Sequence, residues 1–353
     1  MISDQSIRSG LAALSALAGA ALLAGCSTPP APPPPAPPPP PAFAPPPITL
    51  SEGLIQDAAA YQAYMARVTA ITPEFKSGDD VARSLKSGDS YDPQQLLRGS
   101  IAYAAIVALQ DPTYVHEVQV FAANPTSRPL LTEDILGNPN YVVGLKGADH
   151  AAGLIMAAML DQGQKLYSSG ELVKQSAYSI QRQSWSQQIV VNREQRLADA
   201  KSVSTTALIS TTEDAARLQQ AAVGAAPMTL APVSPATQPY PQVAIRGLAL
   251  AALAVLGEAG DDQAAGIAPI VNEAVTAGCL NEAKLNLYQC LAVSKPHYED
   301  IFCLGQHVMM DTGQCMMVAA GAPPPLYAPL AHSSTEVAYA PSLTSKKKKH
   351  AGK

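Results

Sequence analysis

From Leu50 to about Ser202 the apolar residues recur at helical spacing almost without interruption. No period-two alternation lasts long enough for a sheet, so the pattern predicts an all-α chain. Ser51 stands where an N-cap belongs, ahead of a helix over Glu52–Ile71 that Pro73 ends. A short amphipathic helix is expected over Asp79–Lys86. Asp92-Pro93 opens a strong helix to Leu109, and Asp111-Pro112 opens another to about Ala123. Asn124–Leu145 is broken by Pro125, Pro129, Gly137 and Pro139 and reads as loop with short helical turns. Asp149–Tyr167 is apolar and rich in small residues, as a central helix would be. Glu171–Lys201 reads as a separate helix, the longest and mostly polar.

Beyond it the pattern changes. Thr205–Gln242 mixes a short possible helix, Glu213–Val223, with five prolines from Pro227 on, and reads as a linker or a long surface excursion. Val243–Leu256 is nearly all apolar. At fourteen residues it suits a buried helix and is too short for a membrane span. Asp261–Ala277 is expected to be a further helix, followed by two that carry the cysteines. These shifts divide the mature chain into a helical domain at 49–202, a proline-rich excursion at 203–242 and a C-terminal helical region at 243–318. A Pro/Ala/Ser tail at 319–353 completes it, with the composition of a disordered segment. The one internal echo is Lys-Ser-Gly-Asp, at Lys76 and again at Lys86, too short to mark a repeat fold.

Cys279, Cys290, Cys303 and Cys315 cluster in the C-terminal region. In an exported chain four such cysteines suggest two disulfides, with three possible pairings. Leu280–Val293 and His297–Met310 are predicted as antiparallel helices about the turn Ser294-Lys295-Pro296. Cys279 and Cys290 would be about 16 Å apart along a helix, and Cys303 and Cys315 about 18 Å. A disulfide requires Cα atoms within about 7 Å, which excludes the sequential pairing. The crossed pairing would be offset by about 13 Å. The nested pairing, Cys290–Cys303 with Cys279–Cys315, is therefore expected. Zinc is a poor rival, because the short Cys-x2-4-Cys pairs it favours are missing from the sequence.

The N-terminus has a different pattern. Arg8 precedes a thirteen-residue apolar run, Leu11 to Leu23, within signal-peptide range and too short to cross a bilayer. Leu23-Ala24-Gly25-Cys26 follows. This resembles the lipobox of bacterial lipoproteins. The resemblance covers about the first 26 residues only. It implies that residues 1–25 are a cleaved signal and that Cys26 is the acylated N-terminus, held in membrane lipid. Ser27 in place of an aspartate implies the outer membrane, on its periplasmic face. Residues 26–48 then form a stalk: Pro29 to Pro47 holds fourteen prolines in nineteen residues. Proline excludes helix and sheet interiors. As polyproline II, at ~3.1 Å per residue, the spacer could reach roughly 60 Å.

Composition adds two points. Aromatics make up only 5% of the chain, so the core must pack by close helix contact rather than by large rings. Of the formal charge of −5, the tail from Ala319 carries +4, five lysines against Glu336, leaving −9 for the rest. An acidic body argues against nucleic-acid binding. The tail lysines Lys346, Lys347, Lys348 and Lys349 are candidates for contact with peptidoglycan carboxylates or lipopolysaccharide phosphates.

Candidate chemistry is sparse. The sequence has no Gly-x-Ser-x-Gly, His-Glu-x-x-His or phosphate-cradling glycine loop, and no metal or cofactor is expected. His150 reads as a satisfied first-turn histidine. On the expected polar helix, Tyr178, Trp185 and Ile189 fall near one face among several glutamines. Rings bordered by amides suit glycans and partner helices alike. The sequence therefore points to a non-enzymatic envelope interaction or scaffold protein, or alternatively to a glycan-binding module working through the Trp185 helix on peptidoglycan or exported polysaccharide.

Overall fold

Helix starts follow the polar residues that precede them. Ser51, Ser77, Asp92 and Asp111 each accept a hydrogen bond from a backbone N–H in the first turn of the helix they cap. Pro93 and Pro112 then occupy positions where no N–H is required. The computed structural model describes residues 43–323; the expected signal, Cys26, most of the expected stalk and the lysine tail lie outside them. Thirteen α-helices run in order: α1 Glu52–Thr69, α2 Gly78–Asp89, α3 Pro93–Ala108, α4 Pro112–Ala122, α5 Ser127–Gly137, α6 Ala148–Ile180, α7 Arg193–Val203, α8 Thr212–Ala222, α9 Gln242–Val255, α10 Ala264–Ile267, α11 Ala274–Val293, α12 His297–Cys303 and α13 Asp311–Ala319. No helix among the described residues is long and apolar enough to cross a membrane.

The centre is α3 against α9. Residues Gly99–Ala108 of α3 are all buried, and so is every α9 residue from Val243 on except Arg246. They come close because their contact is small. A Cβ added to Gly247 would lie 2.6 Å from the Ala104 Cβ, and one added to Gly99 would lie 2.3 Å from the Asp57 carbonyl of α1. The two helical stretches read from the sequence as separate regions thus share one core.

The excursion at 203–242 is strapped to that core, not a free linker. Two glutamines, Gln95 in α3 and Gln110 just past its end, do this with both ends of their amides. Gln95 accepts from Leu208 N (2.6 Å) and donates to Leu208 O (3.0 Å). Gln110 accepts from Met228 N and donates to Ala221 O, both at 3.0 Å. Helix α8 buries Ala215, Leu218, Ala221 and Ala222.

Three expectations change. Asn124–Leu145 contains α5 and a 3-10 turn, Pro139–Gly144. Pro129 sits in the first turn of α5, where its missing N–H costs nothing. Asp261–Ala277 is not one helix: a 3-10 turn, Asp261–Gln263, leads into the four-residue α10. Beyond it the carbonyls of Pro269 and Ile270 accept from Arg246 (2.6 and 3.1 Å). Helix α11 starts afresh, capped by the Glu273 carboxylate.

The third change is the largest. Asp149–Tyr167 joins the start of the expected polar helix in one 33-residue helix, α6, which passes through Gly170 and stops at Ile180. Gly163 and Gly170 serve packing. The antiparallel α12–α13 stretch lies on them so closely that a Cβ on Gly170 would be 2.9 Å from Gly305 O, and one on Gly163 3.0 Å from Gly313 O. The α6 glycines are seven residues apart and their partners eight. The extra residue is absorbed by a π-helical segment, Leu304–Met310, that joins α12 to α13.

Helices α11 and α12–α13 form the expected hairpin. Cys290–Cys303 and Cys279–Cys315 bridge it with Cα separations of 5.8 and 5.7 Å. Substituting serine for both cysteines of a bridge is expected to lower the unfolding free energy by about 3 kcal/mol for the inner and about 4 kcal/mol for the outer, in the chain-entropy account. Urea denaturation measures this. A loss under 1 kcal/mol at either bridge would show that the hairpin does not depend on it.

A charged cleft between α2 and α7

The residues after α6 do not continue as helix. Residues 181–192 form a run of turns that pins the tip of the cysteine hairpin. Ser186 donates back to the carbonyls of Ile180 (2.5 Å) and Gln183 (2.9 Å). Tyr298 N donates to Ser186 O, His297 N to Gln188 O and Val190 N to Lys295 O. Asn192, in the left-handed region at φ 54°, then redirects the chain into α7. Arg193 and Arg196 bolt α7 down: Arg193 reaches the carbonyls of Ser294 (2.7 Å) and Ala292 (3.0 Å), and Arg196 pairs with the Asp300 carboxylate and donates to Leu291 O.

Between α7 and α2 this leaves a cleft of about 950 Å³, floored by Leu287 and Leu291 of α11. The Lys-Ser-Gly-Asp echo brackets α2 on its other wall. The first copy supplies the N-cap Ser77 and then Gly78, whose missing Cβ makes room for the His297 ring. The second ends the helix at Asp89. Ser77, Asp79, Lys86 and Asp89 all line the cleft.

Under the cleft Lys284 Nζ lies 2.5 Å from Asp89 Oδ1 and 3.5 Å from the centroid of the Tyr91 ring. Both side chains are nearly sealed, at 6% and 2% exposure. Burial pushes Asp89 up to about 6 and Lys284 down to about 8, while their mutual attraction works the other way in each. Burial also raises Asp300, against the pull of Arg196. Among the described residues six buried side-chain polar atoms have no hydrogen-bond partner, and two of them, Asp89 Oδ2 and Arg196 Nε, belong to these pairs.

The candidate residues on the expected polar helix are not brought together. Tyr178 lies in the last turn of α6, half-exposed, its ring edge-on to Phe302 at 6.2 Å. It borders a separate groove of about 520 Å³ beside the Cys290–Cys303 disulfide. Trp185 is half-buried among the turns and spends its indole N–H on Gln183 Oε1 at 2.7 Å. Ile189 is exposed, bridged through its backbone to Pro296. A Trp185 helix face therefore does not exist, because the chain leaves helix at Gln181. His150 is held by Asp111 at 2.5 Å and His307 by Asp311 at 2.8 Å. Among the described residues no group of three or more His, Cys, Asp or Glu side chains is placed to hold a metal ion.

Sequence reasoning missed Lys284, Asp89, Arg196 and Asp300. Lys284 did leave a sign: it falls four residues after Leu280 and three before Leu287, on the buried stripe of α11. A lysine there needs a buried partner. The chain matches no protein-family model, no curated protein and no solved structure.

Proposed function

We propose that this is an envelope lipoprotein, acylated at Cys26, that carries a rigid helical body on a proline stalk and binds its target without catalysis, through the α2–α7 cleft. The observation behind a binding reading is the pairing at the cleft floor. Lys284 is committed to Asp89 and Arg196 to Asp300. A general acid or base has to exchange its proton with substrate. Here the sealed charges neutralise each other and tie the walls together. The lysines at 346–349 would add a second, weaker attachment to an anionic envelope surface, each worth ~1 kcal/mol near it.

The tether is tested by fractionation. Cys26→Ser is expected to move the mature protein from the outer-membrane pellet to the periplasmic fraction. Retention of the variant in the pellet, with the signal cleaved at another site, would overturn the lipoprotein reading. Cross-linking of the lipidated protein in intact cells then identifies what the body touches.

A further inference from the structure

We propose that the groove beside the Cys290–Cys303 disulfide binds an extended proline segment, and that its occupant is Pro29–Pro41 of a neighbouring copy of this chain; the neighbour rests on the reading of the protein as a membrane-tethered lipoprotein. The groove, of about 520 Å³, is open to a ligand: Tyr178 is 49% exposed and Val293 73%, and Gln181 is exposed as well. Its walls include three aromatic rings, those of Tyr178, Tyr298 and Phe302. Two of these are held in place. Lys174 Nζ stands 5.3 Å from the Phe302 centroid, and the Tyr178 ring meets Phe302 edge-on. Aromatic-lined grooves take proline-rich segments because such a chain is already stiff and loses little entropy on docking.

The occupant follows from hydrogen bonding, charge and supply. Pro29–Pro41 consists of eleven prolines with Ala31 and Ala36, so it carries a carbonyl at every residue and an N–H only at the two alanines. It needs donors. The Tyr178 hydroxyl and the Gln181 side-chain amide have no hydrogen-bond partner among the described residues, so both have a donor to give. The run is also uncharged. Glu299 is the one charged lining residue, and its carboxylate already accepts from Lys295 N at 2.7 Å. The chain itself supplies the segment, roughly 40 Å long at ~3.1 Å per residue. No residue of 43–51, where the run joins its own body, lines the groove, and copies anchored on one membrane would present such runs beside one another's bodies. A groove-to-stalk contact is heterologous and does not close on itself, so it would link copies into rows.

The test uses the full mature chain, acylated and held in lipid nanodiscs, with a Gly/Ser spacer of equal length in place of residues 29–41 so that no internal segment competes. A labelled synthetic peptide of residues 28–42 is titrated by fluorescence anisotropy. Saturable binding is expected, changed less than about twofold by 0.5 M salt because the peptide run is uncharged. Tyr178→Ala and, separately, Val293→Arg should each weaken it at least fivefold at an unchanged melting temperature, both positions being exposed. A peptide that does not bind, or that binds both variants as well as the parent, would overturn the site. In intact cells a photo-cross-linking residue at Val293 should join two differently tagged copies, and the adduct should vanish when the second copy carries the spacer. Adducts that persist with the spacer would overturn the occupant, and adducts confined to one chain would overturn the contact between copies. The titration does not depend on the anchor, so it can fail while Cys26→Ser still releases the protein, and retention of Cys26→Ser protein in the pellet would remove the tether alone.

Discussion

Gly305→Ala is expected to destabilise the protein by about 3 kcal/mol, near the upper end of what overpacking costs. The added methyl would sit 2.4 Å from Lys174 N, 2.8 Å from Gly170 O and 2.8 Å from Lys174 Cα. All three are backbone atoms of the 33-residue helix α6, so no side chain can swing aside and the helices must part. Alanine's better helix propensity returns only about 1 kcal/mol, so the clash wins. For a chain of this size the melting temperature should fall by about 5 °C. Gly278→Ala is the matched control. Gly278 is also inside a helix, exposed, with nothing within 4 Å of a new Cβ. There only the propensity term acts, and a gain of about 1 kcal/mol is expected. Thermal melts followed by circular dichroism compare the two; equal shifts would show that α6 and α12–α13 are not in close contact.

Lys284→Met is expected to cost up to about 3–5 kcal/mol at alkaline pH, where Asp89 is left charged and alone in a sealed site, and less at pH 7, because losing the Lys284 attraction raises Asp89 further above 6. The loss should shrink as pH falls and Asp89 takes up a proton. Asp89→Leu with Lys284→Met removes both charges, and the double variant should match or exceed the wild type, by as much as about 4 kcal/mol. The pH dependence of the wild type follows from the same pair. Asp89, raised from 3.8 to about 6 in the fold, contributes stability fully below 3.8 and loses it as pH rises through 6. Lys284, lowered from 10.5 to about 8, contributes fully above 10.5 and loses it as pH falls through 8. Neither contribution is present between about 6 and 8, so the pair's part of the stability curve has a shallow minimum there. Denaturant titrations of wild type and double variant across pH 4–10 should differ by that minimum. A double variant less stable than the wild type would show that the pair stabilises the fold outright.

What could be read from the sequence was local. Ser51, Asp92-Pro93 and Asp111-Pro112 marked helix starts because capping depends on residues three or four apart. The disulfide pairing followed from helical rise between cysteines on two adjacent helices. What could not be read depends on partners far along the chain. Gly170 looks like a breaker until Gly305 is laid against it. The π segment has no signature within its own seven residues; its register is set by α6. The serine- and glutamine-rich stretch after Ile180 supports a helix by spacing alone, yet its backbone bonds go to the hairpin tip more than a hundred residues later. The cleft joins residues 77–89, 188–203 and 287–300, and no window of sequence spans these.

That wide spacing has a consequence for order of assembly. A ribosome makes the chain from its N-terminus, so α2 exists long before the wall that faces it. The anchor points for α7, at Leu291, Ser294 and Asp300, come almost at the end of the folded body. Nothing short of a nearly complete polypeptide can close the cleft. A nascent or C-terminally truncated chain would carry Asp89 exposed to water, its lysine partner not yet made, and would have no closed cleft.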